Sequence, residues 1–243
     1  MLTKIRLDVF LVKNNLVRSR GVAKELIENE NVLVNDVICT KQNFLVSLDD
    51  KIHLKTNEKY VSRGAYKLKK ALEYFNLKID NLIAVDIGAS TGGFTQVLLE
   101  NNVLKVYAID VGTDQLHKSI KENKKVISLE KTNFKDFTND IIKEKINFVC
   151  IDVSFISIYS IINKIVDLKW KNIKSIVLLK PQFEIGRKVM KSKGHVKVNE
   201  HAKIISDFIN FLNSKNIKLN DYIESPIKGA KKENIEYLFY LEF

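Results

Sequence analysis

The chain has 243 residues, 45% of them hydrophobic, and a formal net charge of +11 from 40 Lys and Arg against 29 Asp and Glu. This composition excludes a disordered chain and allows one large domain, or a small domain beside a medium one. The positive charge favours polyanionic partners, either nucleic acid or an anionic membrane face. No apolar run approaches the roughly 20 residues of a membrane helix, and we expect no membrane partner.

The first 56 residues predict a small α+β unit. Apolar residues such as Leu7 and Phe10 recur near helical spacing, and Ser19 fits the N-cap of a second helix. The run NVLVNDVICT predicts a hairpin that turns at Asn35 and Asp36, and DKIHLK predicts one more strand. Charges interrupt the apolar residues at the N-terminus, so we do not expect a secretory signal.

Basic residues cluster around the start of the second predicted helix. The run RSRGVAKELIENENVLVND resembles the small RNA-binding fold named after ribosomal protein S four, which implies that guanidinium and ammonium groups in this cluster meet RNA phosphates. A solvated basic face is the ordinary alternative. The predicted RNA-binding residues are Arg6, Arg18, Arg20, Lys24 and, further along the chain, Arg63.

The two cysteines, Cys39 and Cys150, lie far apart in strand-like runs. This spacing favours two reduced core thiols, typical of a cytoplasmic protein, over a disulfide or a metal site. The four histidines are scattered and are not paired with cysteines, so the sequence predicts no metal site.

Residues 57–63 are predicted to be a linker, and residues 64–243 alternate strands with helices. Seven strands are predicted in LIAVDIG, KVYAIDVG, VISLEK, INFVCIDVSF, SIVLLKP, IKLNDYIESPI and IEYLFYLEF. The pattern predicts an α/β fold with a doubly wound, Rossmann-like sheet, whose last two strands form an antiparallel pair at one edge.

The run AVDIGASTGGFTQVLLEN predicts a strand, a glycine-rich turn and a helix. Gly88, Gly92 and Gly93 allow a tight bend and a close approach to a ligand. A nicotinamide site prefers G-x-G-x-x-G, but Ser90 stands where the second glycine is expected. The carboxylate of Asp86 repels a pyrophosphate and suits the cationic methionine end of S-adenosylmethionine, so the turn favours that cofactor.

Asp110 ends the next predicted strand, where a carboxylate can accept hydrogen bonds from ribose hydroxyls. Dinucleotide-binding and methyl-donor folds both use such an acid, so Asp110 does not distinguish between them. The predicted cofactor-binding residues are Asp86, Gly88, Ala89, Ser90, Gly92, Gly93, Phe94, Asp110 and Val111.

Charged residues follow two of the buried strands, Asp152 in CIDVSFIS and Lys180 in SIVLLKPQFE. Side chains at the carboxyl ends of parallel strands point into the ligand crevice, so we expect these two to face each other there. Lys67 lies on the helix before the first strand and Glu236 at the start of the last one. Each has an ordinary alternative, because Lys67 has lysine neighbours and Glu236 can point outward from an edge strand.

The chain resembles the haemolysin-A (TlyA) group of ribosomal RNA 2′-O-methyltransferases in YVSRGAYKL, DIGASTGGFTQVLL, AIDVGTDQL, IDVSFIS, LLKPQFE and NIEYLF. Its first 56 residues are similar to the small RNA-binding fold named after ribosomal protein S four. The resemblance implies an FtsJ-like, S-adenosylmethionine-dependent domain that methylates ribosomal RNA or ribosomal subunits, at cytidine. It also implies a catalytic tetrad, here Lys67, Asp152, Lys180 and Glu236.

A ribose 2′-hydroxyl becomes a good nucleophile only as its proton is removed, so the reaction needs a base and an aligned donor. Our hypothesis is that Lys180 is the base, that Lys67 and Asp152 position it and the target ribose, and that Glu236 orients the lysines or the hydroxyl. The rival functions are a methyltransferase for proteins or small molecules, a membrane-lysing protein and a non-catalytic RNA-binding protein.

Two further features each allow a functional and an ordinary structural interpretation, and the sequence favours neither. The basic segment FEIGRKVMKSKGHVKVNEHAK is either a mobile loop over RNA or a solvated loop. Phe155 and Tyr66 either stack on a flipped base or pack in the core. The sequence leaves open which nucleotide and subunit are modified, and the oligomeric state.

Overall fold

A computed structural model describes residues 4–17, 19–55, 59–185, 196–229 and 234–243. The chain divides into two compact units, Met1–Lys59 and Tyr60–Phe243. This division falls inside the predicted 57–63 linker, whose own limits stay a prediction.

The first unit contains two helices and five short strands. Its elements are β1 (Ile5–Arg6), α1 (Leu7–Lys13), α2 (Arg20–Glu28), β2 (Val32–Val34), β3 (Val37–Ile38), β4 (Leu45–Val46) and β5 (Ile52–Leu54). The predicted hairpin is present, because β2 pairs with β3 and Asn35 and Asp36 both have positive φ. Ser19 caps α2 by accepting a hydrogen bond from the Val22 amide at 3.3 Å. The pair β1–β4 was not predicted, because two-residue strands are too short to show a period.

The second unit is built on a seven-stranded sheet that contains all seven predicted strands. They are β6 (Ile83–Ile87), β7 (Lys105–Ile109), β8 (Val126–Leu129), β9 (Phe148–Ile151), β10 (Lys174–Leu179), β11 (Lys218–Glu224) and β12 (Tyr237–Glu242). The strand order is β11-β12-β10-β9-β6-β7-β8. The strands from β10 to β8 are parallel, and β12 is antiparallel to both β10 and β11.

Helices cover both faces of this sheet, as the doubly wound pattern predicts. They are α3 (Gly64–Tyr74), α4 (Gly93–Glu100), α5 (Lys118–Lys121), α6 (Ile158–Asp167) and α7 (Val198–Ser214). One core contains apolar side chains of α3 and α4, and the core on the other face contains those of α6 and α7. Cys39 and Cys150 are both free and buried, as predicted.

The chain order reverses between β6 and β9, because β7 and β8 lie on one side of β6 and β9 and β10 on the other. At such a switch point the loops leave in opposite directions and open a crevice at the carboxyl ends of the strands. The glycine turn follows β6 and Asp152 follows β9, so the topology puts both at this crevice.

Candidate active site

The four predicted catalytic residues lie on one face of the sheet at this crevice. In β9 and β10, Cys150 and Leu178 belong to the core under α3 and α4, and a period of two puts Asp152 and Lys180 on the same face. The same alternation places Glu236 on that face, because Leu238 of β12 belongs to the same core. β12 is antiparallel, so its first residues lie beside the carboxyl end of β10.

Two ion pairs join these residues. Lys67 Nζ lies 2.5 Å from Glu236 Oε2, and Lys180 Nζ lies 2.5 Å from Asp152 Oδ1. Lys67, Lys180 and Glu236 are buried, so the solvated and outward-facing alternatives for Lys67 and Glu236 are wrong. Lys180 Nζ also donates a hydrogen bond to Ser154 Oγ at 2.9 Å.

The two pairs also act on each other electrostatically. Burial by itself raises the pKa of Asp152, but the charges of Lys180 and then of Lys67 outweigh burial and hold this pKa below its usual value. Asp152 therefore stays a carboxylate at neutral pH. The sequence places these residues far apart, and the fold brings them within electrostatic range.

Gly88 brings the glycine turn against the Asp152 strand. Its φ is +86°, and a Cβ atom at this position would lie 2.5 Å from the Asp152 backbone oxygen. Only glycine fits such a conformation and such a contact without a shift of the backbone. The Asp152 amide also donates to the Ile87 carbonyl at 3.0 Å, which fixes the two strand ends together.

A cavity of about 390 Å³ opens beside the tetrad, within the usual range for small-molecule sites. Its wall includes Gly88, Ser90, Asp110 and Val111, four of the predicted cofactor-binding residues, and also Asp152. The Asp110 carboxylate is held in place, because it accepts hydrogen bonds from the amides of Ser90 at 2.8 Å and of Gly112 at 2.7 Å. Each oxygen keeps a lone pair for a ligand hydroxyl.

Five predicted cofactor-binding residues do not line this cavity: Asp86, Ala89, Gly92, Gly93 and Phe94. Ala89 and Phe94 pack in the core, and Gly92 forms the left-handed N-cap of α4 against Leu116. A Cβ atom on Gly93 would overlap Ser62 Oγ, so the lack of a side chain at Gly93 allows Ser62 to pack against the start of α4. The sequence correctly located the turn but could not show which side of it faces the ligand.

Asp86 lies beneath the turn and does not line the cavity, and its predicted contact with the cationic end of the cofactor stays a prediction. Its side chain is completely buried and accepts a hydrogen bond from Thr95 Oγ1 at 2.6 Å. Burial, opposed by the Thr95 hydrogen bond and assisted by the charge of nearby Asp152, raises the pKa of Asp86 to about 7.

We expect Asp86 to make the stability of the second unit depend on pH. The folded-state pKa of about 7 lies above the unfolded value of about 3.9, so the stabilisation is full below pH ~4 and is lost as the pH rises to about 7. The free energy of unfolding of the wild type should fall over this range relative to Asp86→Asn, by about 1.4 kcal/mol per unit of pKa shift. Denaturant unfolding of both proteins at several pH values measures this difference, and a constant difference would contradict the prediction.

The cavity wall contains residues that the sequence analysis missed. Thr132, Asn133 and Phe134 follow β8, and Gln115 lies in the loop after β7. The available signal was position, because ligand-binding residues of such sheets follow strand ends. Thr132, Asn133 and Phe134 come after β8, and Gln115 comes after β7.

The predicted RNA-binding residues fall into three groups. Arg6 and Arg20 share the buried carboxylate of Asp8, to which Arg6 Nε donates at 2.9 Å and Arg20 Nη2 at 2.7 Å. Lys24 is exposed on α2, with Glu28 at 3.7 Å, and Arg63 is exposed at the N-cap of α3 in the second unit. Arg18 lies outside the described residues, as does most of the basic segment after Glu184.

The aromatic candidates are both exposed, so the core-packing alternative is wrong. Phe155 is 83% exposed at the cavity wall, with its ring centroid 5.2 Å from that of Phe183. Tyr66 is 46% exposed and contacts Tyr60 edge to face at 4.9 Å.

Across the described ranges, no helix is long and apolar enough to cross a membrane. Within the same residues, no group of three or more His, Cys, Asp and Glu side chains is arranged to hold a metal ion.

Comparison with known proteins gives matches in both units. Residues 60–243 match the model of the FtsJ-like methyltransferase family, and residues 5–52 match the S4 domain. The chain is 39% identical to the 23S rRNA (cytidine-2′-O)-methyltransferase TlyA of Campylobacter jejuni, over 95% of this chain and 97% of the relative. It is 38% identical to Hemolysin A of Brachyspira hyodysenteriae, over 96% and 98%. A solved structure from Streptococcus thermophilus that carries the name hemolysin superposes with a TM-score of 0.76, at 36% identity, over 100% of this chain and 89% of the other.

Proposed function

Since this chain belongs to the FtsJ-like methyltransferase family, we propose that it transfers a methyl group from S-adenosylmethionine to a ribose 2′-hydroxyl of ribosomal RNA, at cytidine. The observation that carries the proposal is the pair of lysine–carboxylate contacts beside the cavity at the switch point. The similarity to a relative named for cytidine 2′-O-methylation supports the substrate, and the S4 domain match supports RNA. Such a substrate also supports the predicted cytoplasmic location.

The residues at the crevice suit S-adenosylmethionine, which supplies a methyl group activated by its bond to a positively charged sulfur. Asp110 offers carboxylate lone pairs to ribose hydroxyls, and the turn at Gly88 and Ser90 forms the adjoining wall. Asp152 also lines this wall.

Lys180 is the proposed base that accepts the proton of the 2′-hydroxyl. Its Nζ is held by Asp152 and Ser154, two residues that line the cavity. A general base accepts a proton only in its unprotonated form, so the proposed reaction uses Lys180 as a neutral amine. Glu236 holds Lys67 in place through their 2.5 Å contact.

Methyl transfer from a radiolabelled donor to ribosomal RNA tests the proposal directly. We expect label in ribosomal RNA or ribosomal subunits, and ribose-methylation mapping should place it on the 2′-oxygen of a cytidine. Label on a base or on a ribosomal protein would replace this function with a different methyltransferase activity. No label, together with leakage of lipid vesicles, would favour the membrane-lysing alternative.

Arg20→Ala is expected to weaken RNA binding without regard to RNA sequence. Asp8 holds the exposed Arg20 guanidinium beside that of Arg6, so the two groups are placed to contact neighbouring RNA phosphates. Each lost phosphate contact lowers the slope of log affinity against log salt by ~0.7–0.9. A gel shift with ribosomal RNA over a range of salt concentrations measures the slope.

Lys118→Ala provides the matched control for this measurement. Lys118 is an exposed cation on α5 in the second unit, with Glu122 at 3.8 Å. Its replacement removes the same charge and should leave the salt slope unchanged. Equal slopes for Arg20→Ala and Lys118→Ala would rule out a phosphate contact by Arg20.

A further inference from the structure

Glu184 ends the LLKPQFE motif, and the mechanism proposed above gives it no part. A short 3₁₀ turn, Pro181–Phe183, separates it from Lys180. Its carboxylate accepts two hydrogen bonds, from Ser157 Oγ to Oε2 at 2.6 Å and from the Ile158 amide to Oε1 at 2.9 Å. Both donors lie at the start of α6, so Glu184 ties the segment after β10 to the segment after β9.

These bonds supply the N-terminal cap of α6 from elsewhere in the chain. Ser157 is the N-cap residue, but its side chain caps no amide of the helix and donates to Glu184 instead. The first amides of a helix need acceptors, and the helix dipole favours a negative charge at that end. A carboxylate with two short bonds meets both requirements and is held more firmly than a neutral acceptor.

The loop that Glu184 fixes carries active-site residues. Residues 152–157 connect β9 to α6 and include Asp152, Ser154 and Phe155. Phe155 has a φ of +64°, which is rare for an aromatic residue and persists only where surrounding contacts impose it. The loop therefore needs restraint at both of its ends.

Contacts with the 180–184 segment restrain the loop at both of its ends. At one end of the loop, Lys180 Nζ contacts Asp152 and Ser154, and at the other end Glu184 binds Ser157. Lys180 and Glu184 belong to the same five-residue segment, so a shift at Glu184 moves the segment that sets the position of Lys180.

We infer that Glu184 is a positioning residue, which holds the 152–157 loop so that Lys180 stays aligned with Asp152 and Ser154. This inference rests on the proposed methyl transfer, in which Lys180 is the base. Glu184 acts through Lys180 and does not contact the reacting groups.

Glu184→Gln tests this role, because glutamine has the same shape but a single acceptor oxygen. We expect kcat for methyl transfer to fall by about tenfold to a hundredfold, as misplacement of a catalytic group by about 1 Å does. The dissociation constant for S-adenosylhomocysteine should change by a smaller factor than kcat, and hydrogen exchange of the Ile158 amide should accelerate. Ser157→Ala removes the bond to Oε2 but keeps the carboxylate charge and the Ile158 bond, so its kcat should lie between those of the wild type and Glu184→Gln. It provides a second test should Glu184→Gln not fold.

Glu200→Gln is the matched control, because Glu200 accepts a hydrogen bond from the Lys197 amide at 3.2 Å at the start of α7. It should lower stability through the same loss of a helix cap and leave kcat unchanged. Wild-type kcat in Glu184→Gln, or an equal loss in Glu200→Gln, would overturn the inference. A wild-type protein without methyl transfer would overturn the proposed function instead, and the exchange of Ile158 would still report whether Glu184 restrains the loop.

Discussion

Lys180→Arg is expected to reduce methyl transfer by about 10²- to 10⁴-fold, the usual contribution of a general base. Arginine keeps the positive charge that pairs with Asp152, but its guanidinium does not accept a proton in a protein. The variant should therefore retain the fold and the donor site while it loses the chemical step. Single-turnover transfer of labelled methyl groups to ribosomal RNA measures the rate, and calorimetry with S-adenosylhomocysteine measures donor binding.

Lys69→Arg is the matched control for Lys180→Arg. Lys69 lies on α3, two residues from Lys67, and its Nζ is 3.6 Å from Glu73 Oε1. The same substitution there should leave the rate unchanged. Near-full activity of Lys180→Arg would exclude Lys180 as the base, and the two ion pairs would then serve only to orient the substrates.

Gly88→Ala is expected to disrupt both the donor site and the stability of the second unit. The added Cβ would lie 2.5 Å from the Asp152 oxygen and 3.2 Å from Val153 Cγ1, on a residue whose φ is +86°. Backbone strain and overpacking each cost about 1–3 kcal/mol, so we expect unfolding to become easier by at least ~2 kcal/mol. Denaturant unfolding measures the loss, and donor binding should weaken at least about tenfold, since 1.4 kcal/mol corresponds to a factor of ten.

Gly21→Ala provides the comparison for this substitution. Gly21 lies in α2, where the nearest atom to an added Cβ is Ser19 Oγ at 3.8 Å. Alanine is a better helix former than glycine, so this variant should be as stable as the wild type or more so. If Gly88→Ala bound the donor normally, the contact between the turn and the Asp152 strand would have no part in the site.

Local patterns in the sequence identified much of the fold. All seven strands of the sheet were predicted, because short runs rich in apolar, β-branched and aromatic residues are a strong local signal. The family was also predicted correctly from the motifs, and the matches over residues 60–243 and 5–52 confirm it. The linker limits, the tetrad roles and the RNA-binding residues stay predictions.

The sequence alone could place Asp152 and Lys180 at strand ends, since a charge directly after an apolar run has few other positions. It could not pair Lys67 with Glu236, because that contact spans 169 residues and depends on β12 lying antiparallel beside β10. Nor could it show that Asp86 points beneath the turn while Asp110 lines the cavity. Residue type and spacing indicate local conformation. The sheet face on which a side chain lies, and the residues it contacts, depend on strand order and direction, which are set by long-range packing.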